Sequence, residues 1–371
     1  MKIAVIAAPF IPVPPKKYGG TERVIYYLIK GLAELGHEVT LFASGDSEAP
    51  TGVKLHPICP QSLPYSKDDD EEAKLDKKRR KIMRDTIDIL KSSDEYDIIH
   101  SHGVDMTELL KRPTITTLHG PFDMSLIEYY NERTNHFFVN ISENQKEGFP
   151  PYLRFVQTVY NGLDPEEFTP NFAPKEDYVC FIGRFDRQKN PHLAIELALS
   201  RGLKIKVAGK IDFFGRRYFE EMVEPHLKNP DVEYLGEIGM EGKVKLLSGA
   251  RANIHPTGFR EPFGLTVLEA AYCGTPTVAI SKGAMPEIIE QGRTGLLVED
   301  LPEAYHKIDQ CFEMDRQYIA QRAKHLFNYR TMAEKYVYAY EKVIRVYEDY
   351  GSRIITDPHI SFQYFDEIED K

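Results

Sequence analysis

KIAVIAAPFIPVPPKKYGGTERVIYYLIKGLAELGHEVTLFA, residues 2–43, decides the fold. Lys2–Ala8 is a short apolar run closed by a proline-rich loop, as a buried strand requires. Glu22–Leu35 places Val24, Ile25, Leu28, Leu32 and Leu35 on one helical stripe, Gly36 supplies the C-cap, and Glu38–Ala43 is the next strand. A strand, a long helix and a second strand need a crossover connection, which makes the sheet parallel.

The rhythm returns with strands at Ile98–His100, Thr114–Leu118 and Phe137–Ile141. It starts afresh with a strand at Val179–Ile182, a helix at Pro191–Ser200, a strand at Lys204–Ala208 and a helix at Phe213–Leu227. Strands at Ala252–His255, Thr277–Ile280 and Gly295–Val298 complete the second series. Two sets of βα units predict an α/β protein with two doubly wound, Rossmann-like domains. Tyr160–Pro174, with prolines, a glycine and no apolar period, reads as the joint. Near the end, Tyr336, Tyr340, Val343, Val346 and Tyr347 form a helical stripe of core contacts, and the tail beyond Tyr350, ending FDEIEDK, folds back or frays.

The length of 371 residues fits two domains, and 42% hydrophobic with 28% charged residues is a globular composition. A net charge of −10 repels phosphate backbones and argues against a nucleic-acid partner. No apolar run reaches the roughly 18 residues that cross a bilayer, and MKIAVIAAPF reads as a first strand rather than a leader. Cys59, Cys180, Cys273 and Cys311 share no paired spacing, which predicts neither disulfides nor a zinc site and a cytoplasmic setting. Asp68–Arg84, DDDEEAKLDKKRRKIMR, breaks the rhythm. Its plain reading is an exposed helix in an insertion. The sharper one sets Lys77, Lys78, Arg79, Arg80 and Lys81 against anionic lipid, a peripheral membrane contact.

Three stretches carry chemistry. Lys17-Tyr18-Gly19-Gly20 precedes the first helix, where glycine amides and the positive helix end can receive a phosphate; a plain turn is the alternative. Gly183-Arg184-Phe185-Asp186-Arg187-Gln188-Lys189 leaves a strand with Arg184 and Lys189 as cations that can grip a diphosphate and neutralise a leaving group. Glu261-Pro262-Phe263-Gly264-Leu265 leads into a helix bearing Glu269. Carboxylates in this pattern can accept hydrogen bonds from sugar hydroxyls, while the loop amides face an anion; an ordinary acidic helix start is the alternative.

Together these residues resemble retaining glycosyltransferases of family 4. EPFGLTVLE matches the family's Glu-x7-Glu motif, GRFDRQKN its Gly-Arg-x4-Lys strand end, KYGG its glycine loop, TLHG around His119 its active-site histidine segment, and Gly283–Glu299 its closing motif. The resemblance implies a GT-B fold, with two Rossmann-like domains facing a cleft and a last helix crossing back to the first. It implies an acceptor-side domain over 1–165, a nucleotide-sugar domain over 166–332, and a returning helix with tail over 333–371. By the same resemblance, the enzyme moves a hexose from a UDP-, GDP- or ADP-linked donor to an acceptor hydroxyl with retention and without metal or other cofactor. Arg184 and Lys189 would hold the diphosphate, Glu261 the donor sugar and Glu269 the ribose. Phe263, Gly264 and Leu265 would offer amides, Gly19 and Gly20 would approach the phosphates, and His119 would touch the sugar beside the reacting carbon. His102 in HSHG reads as structural. The competing readings are a sugar phosphorylase or epimerase on the same frame, and a nucleotide-sugar binder without turnover. Neither the acceptor nor the oligomeric state is written in the motifs.

Overall fold

β1 (Lys2–Ile6) lies at the heart of a seven-stranded sheet, four of its five residues buried. The computed structural model describes residues 1–66, 68–211, 215–351 and 353–356. The tail FDEIEDK and Phe213 of the expected second-unit helix lie outside the described residues. The chain divides into two compact units: one holds Met1–Pro15, Gly19–Gly162 and the chain from Tyr329 on, the other Lys16–Tyr18 and Leu163–Asn328.

In the first unit, β1 is followed by β2 (Glu38–Ser44), β3 (Val53–Cys59), β4 (Ile98–His102), β5 (Thr114–Thr117), β6 (Phe137–Asn140) and β7 (Arg154–Thr158), in the order β3-β2-β1-β4-β5-β6-β7. Every pairing is parallel. The order reverses between β1 and β4, and at such a switch the carboxyl ends of the strands open a crevice. Helix α1 (Gly20–Glu34) buries Val24, Ile25, Leu28 and Leu32 of its expected stripe, whereas Leu35, just past its last residue, is exposed. Helix α2 (Asp69–Lys91) begins at Asp68, whose side chain accepts from the Glu71 amide at 2.8 Å.

The second unit is a six-stranded parallel sheet of β8 (Tyr178–Ile182), β9 (Lys204–Ala208), β10 (Val232–Tyr234), β11 (Asn253–His255), β12 (Thr277–Ile280) and β13 (Gly295–Val298). Their order is β10-β9-β8-β11-β12-β13, with the switch between β8 and β11. Around it lie α3 (Pro191–Ser200), α4 (Met240–Gly249), α5 (Leu265–Tyr272) and α6 (Arg316–Leu326). The helix expected over Phe213–Leu227 is broken: a short α turn at Arg216–Tyr218 widens into a π turn at Phe219–Val223 and tightens into a 3-10 turn at Glu224–Lys228. Pro225 has no amide to donate and its ring crowds the preceding turn, so the α ladder cannot run through it.

Helix α7 (Tyr329–Tyr350) belongs to the first unit. A Cβ on Gly31 of α1 would come within 2.7 Å of Ala333 Cβ, so the glycine allows the two helices to approach closely. Tyr329 donates its hydroxyl to the Glu34 carboxylate at 2.9 Å. The segment read as a joint is tightly held. Leu163 is fully buried, its amide donates to Phe327 O at 2.9 Å, and Tyr272 donates its hydroxyl to the carbonyls of Leu163 and Phe327. The two compact units divide at Gly162/Leu163 and at Asn328/Tyr329.

Candidate active site

The second unit gathers charge at its switch point. Gly183 and Arg184 leave the carboxyl end of β8, and the Asp186 carboxylate accepts the amides of Gln188 at 3.0 Å and Lys189 at 2.9 Å. Asn190 then takes a left-handed φ of 51° before Pro191 opens α3. This turn aims Lys189 toward the loop that follows β11, where its ammonium pairs with Glu261, and both side chains are mostly buried. His255, at the end of β11, lies with Nε2 3.6 Å from Glu261 Oε2. Burial alone would raise the Glu261 carboxyl, but His255 and Lys189 outweigh it and hold it down to about 2. Burial keeps His255 below the usual imidazole range, against the pull of Glu261. At neutral pH the cluster is a cation, a carboxylate and a neutral ring.

The Gly283–Glu299 segment props Glu261 from behind. Ala284 N–H donates to Glu261 O at 2.9 Å. Gly283 has φ 59°, and a Cβ there would lie 2.3 Å from the backbone N and O of Glu261. Gly264, at φ 97°, caps α5, and its carbonyl accepts from Val267 and Leu268. The amides of Leu265 and Thr266 fall in the first turn of α5, where helix geometry supplies no partner. Phe263 is buried and meets Phe327 edge-on at 6.0 Å, so its side chain anchors the loop. Arg184 is tethered beside Lys189, 3.1 Å from both Gln188 Oε1 and Asp186 Oδ2.

The structure thus brings Lys189 and Glu261 into one cluster with Arg184 on the same turn. Glu269 sits elsewhere, buried on α5 and paired with Lys243 of α4. Its Oε2 meets no hydrogen-bond partner among the described residues. Sequence reasoning missed both His255 and Lys243. His255 had a signal, since it ends a strand six residues before Glu261; Lys243 looks like any lysine on a polar helix.

In the first unit, Gly19 caps α1 at φ 157°, where a Cβ would meet Pro15 Cβ at 2.6 Å and Glu22 Oε2 at 3.0 Å. Gly20 is the first residue of the helix. The half-buried Glu22 carboxyl, pushed up by partial desolvation, occupies the same helix end. His119 follows β5, and its Nε2 lies 2.8 Å from Nδ1 of His102 at the end of β4. Burial pushes His119 down to about 4 and His102 well below the usual imidazole range, so both are neutral at pH 7. His102, read as structural, is the ring that meets His119.

Helix α2 corrects the expected basic face. Arg79 is 3% exposed; it lies 4.6 Å from the Phe10 ring, donates to Leu63 O at 3.2 Å and pairs with Glu72. Helical period places residue 79 on the core side with Thr86 and Leu90. Arg80 is exposed but bonds Asp76 at 2.8 Å. Lys77, Lys78 and Lys81 remain exposed, joined on that side by Lys74 and Arg84. Among the described residues no helix is long and apolar enough to cross a membrane, and no group of three or more metal-ligating side chains converges.

Residues 18–167 match the family model for Glycosyltransferase Family 4, and residues 164–325 match that for Glycosyl transferases group 1. An uncharacterized glycosyltransferase of Methanocaldococcus jannaschii is 25% identical over 344 residues, covering 80% of this chain and 85% of its own. Sucrose-phosphate synthase from Thermosynechococcus elongatus shares the fold with a TM-score of 0.75 at 18% identity, over 93% of this chain and 99% of its own. Anabaena HepE, solved in complex with UDP-glucose, does so with a TM-score of 0.66 at 18% identity, over 90% and 98%.

Proposed function

We propose that this chain of GT-B fold, whose two halves match glycosyltransferase family models, is a retaining, metal-independent hexosyltransferase using a nucleotide-diphosphate sugar. The observation that carries this reading is the Lys189–Glu261–His255 cluster at the β8/β11 switch, where an open α/β sheet receives its ligand. Lys189 and Arg184 meet the diphosphate and its growing charge, and Glu261, ionised well below neutral pH, accepts hydrogen bonds from the sugar hydroxyls. The amides of Phe263, Gly264 and Leu265 serve sugar and phosphate, and Glu269 the ribose. From the first unit we assign Gly19 and Gly20 to the phosphates and His119 to the donor sugar.

In the reaction, the bond between the anomeric carbon and the diphosphate oxygen breaks as the acceptor oxygen attacks from the same face. The acceptor proton passes to the departing phosphate oxygen. No carboxylate needs to form a bond to carbon. Relatives of known structure include one seen with UDP-glucose, which makes a glucose nucleotide the first donor to try. We also propose that the exposed Lys74, Lys77, Lys78, Lys81 and Arg84 favour an anionic membrane carrying the acceptor.

Thermal shift and donor turnover with UDP-, GDP- and ADP-sugars, in chelator, test the reading. One donor should stabilise the protein by roughly 2.7 kcal/mol at 100-fold its dissociation constant, and Lys189→Ala should cut transfer at least tenfold. Turnover only on adding a divalent metal, or an unaffected Lys189→Ala enzyme, would overturn it.

A further inference from the structure

We propose that His102 is a positioning residue whose Nδ1–H donates to His119 Nε2, fixing His119 in the tautomer that offers a Nδ1–H donor to an oxygen of the bound ligand. The ligand half of this statement rests on the proposed placing of His119 at the donor sugar; the tautomer half stands without it.

Two neutral rings 2.8 Å apart through nitrogen need one N–H and one bare nitrogen between them. If His119 were the donor, His102 would carry its own proton on Nε2. That nitrogen is buried and meets no partner among the described residues. An orphaned buried N–H is rare and costly, so the proton belongs on Nδ1, where it has an acceptor. His119 Nε2 is then the acceptor, and its one proton must sit on Nδ1. The second ring nitrogen thus decides what the first can do for a ligand.

His102 has little freedom to turn. Its ring lies 5.1 Å from His119 in a near-parallel stack and 4.2 Å from His100. His100 is pinned at both nitrogens, by Tyr340 at 2.7 Å and by Thr117 at 2.8 Å, and Thr117 is in turn 2.9 Å from the Tyr336 hydroxyl. Tyr336 and Tyr340 are fully buried on α7, so the last helix braces the histidine pair from within the first unit.

Side-chain nitrogen-15 spectra of the full-length protein, without ligand, read the tautomer directly. The expected result is a proton on Nδ1 of His119; a proton on Nε2 overturns the proposal. His102→Asn keeps a donor near the Nδ1 position and should preserve that tautomer, whereas His102→Asp can only accept and should move the His119 proton to Nε2. In titrations with the stabilising nucleotide sugar, His102→Asp should weaken binding roughly tenfold, the loss of about one hydrogen bond, while His102→Asn stays close to wild type. Equal affinities in both variants, with the tautomers switched as expected, would remove the ligand role of His119 and leave the second-unit donor site standing.

Discussion

Lys189→Met should destabilise the second unit by about 3 kcal/mol at pH 7, and the structure supplies the magnitude. The Glu261 carboxyl falls from 4.5 to about 2. Held that far down by His255 and Lys189 together, the ionised site is stabilised by roughly 3 kcal/mol, and Lys189 is the only full positive charge in it. Because the folded value is depressed, this stability is fully present above pH 4.5 and disappears as pH falls toward 2. Removing the ammonium leaves a carboxylate that is mostly buried, with only His255 beside it, and breaking a buried pair from one side costs a similar ~3–5 kcal/mol. For a unit of this size each kcal/mol moves the melting point by ~2–4 °C, so scanning calorimetry should show that transition ~6–12 °C lower. The deficit should shrink at acid pH, where Glu261 in the variant takes up a proton. Lys189→Met/Glu261→Gln, with no charge left to strand, should recover more than half of the loss. A shift below ~2 °C in the single variant, or a double variant no better than the single, would refute the reasoning.

The first unit should be the more acid-sensitive of the two. His100 is pushed down to about 3 and His119 to about 4, both by burial, so their contribution is complete above about pH 6.5 and lost as pH falls toward those values. Its melting transition should fall more steeply below pH 6 than that of the second unit, where His192 and His255 are the imidazoles held down by burial; an equal or smaller fall would argue against it. Gly283→Ala demands a left-handed φ of 59° and places a Cβ 2.3 Å from the Glu261 backbone, so it should lower the melting point and weaken donor binding more than tenfold, read by titration. Arg79→Ala should cost ~2 kcal/mol or more through lost packing and hydrogen bonds, whereas Lys77→Ala/Lys78→Ala should leave denaturant midpoints unchanged. Sedimentation with anionic vesicles should show the reverse ranking, with the lysine pair mattering more than Arg79.

Much of this molecule is legible without coordinates. The strands and crossovers follow from where apolar residues fall along the chain, a local property that period alone reveals. The glycines and charged residues of KYGG, GRFDRQKN and EPFGLTVLE mark the strand-to-helix loops proposed to receive the ligand, because such loops need close backbone approach and fixed charge. Even the burial of Tyr336 and Tyr340 follows from their spacing on one helix. Strands β3, β7 and β10 gave weaker signals: β3 alternates polar residues into its run, and β10 is only three residues long.

Polar partnership is what the pattern could not supply. Lys189 and Glu261 are separated by 72 residues, and His100 and Tyr340 by 240; nothing local says that these groups meet. Lys243 could have been solvated and instead neutralises Glu269. Arg79, one cation in a basic run, is turned inward by the phase of its helix against the sheet. Hydrophobic period and glycine placement act over a few residues, so sequence alone specifies two parallel α/β units and the loops proposed to carry the chemistry. Only the tertiary structure decided which charges pair, which imidazole supports which, and where each proton sits, because those depend on distances set by strand order rather than by neighbours in the chain.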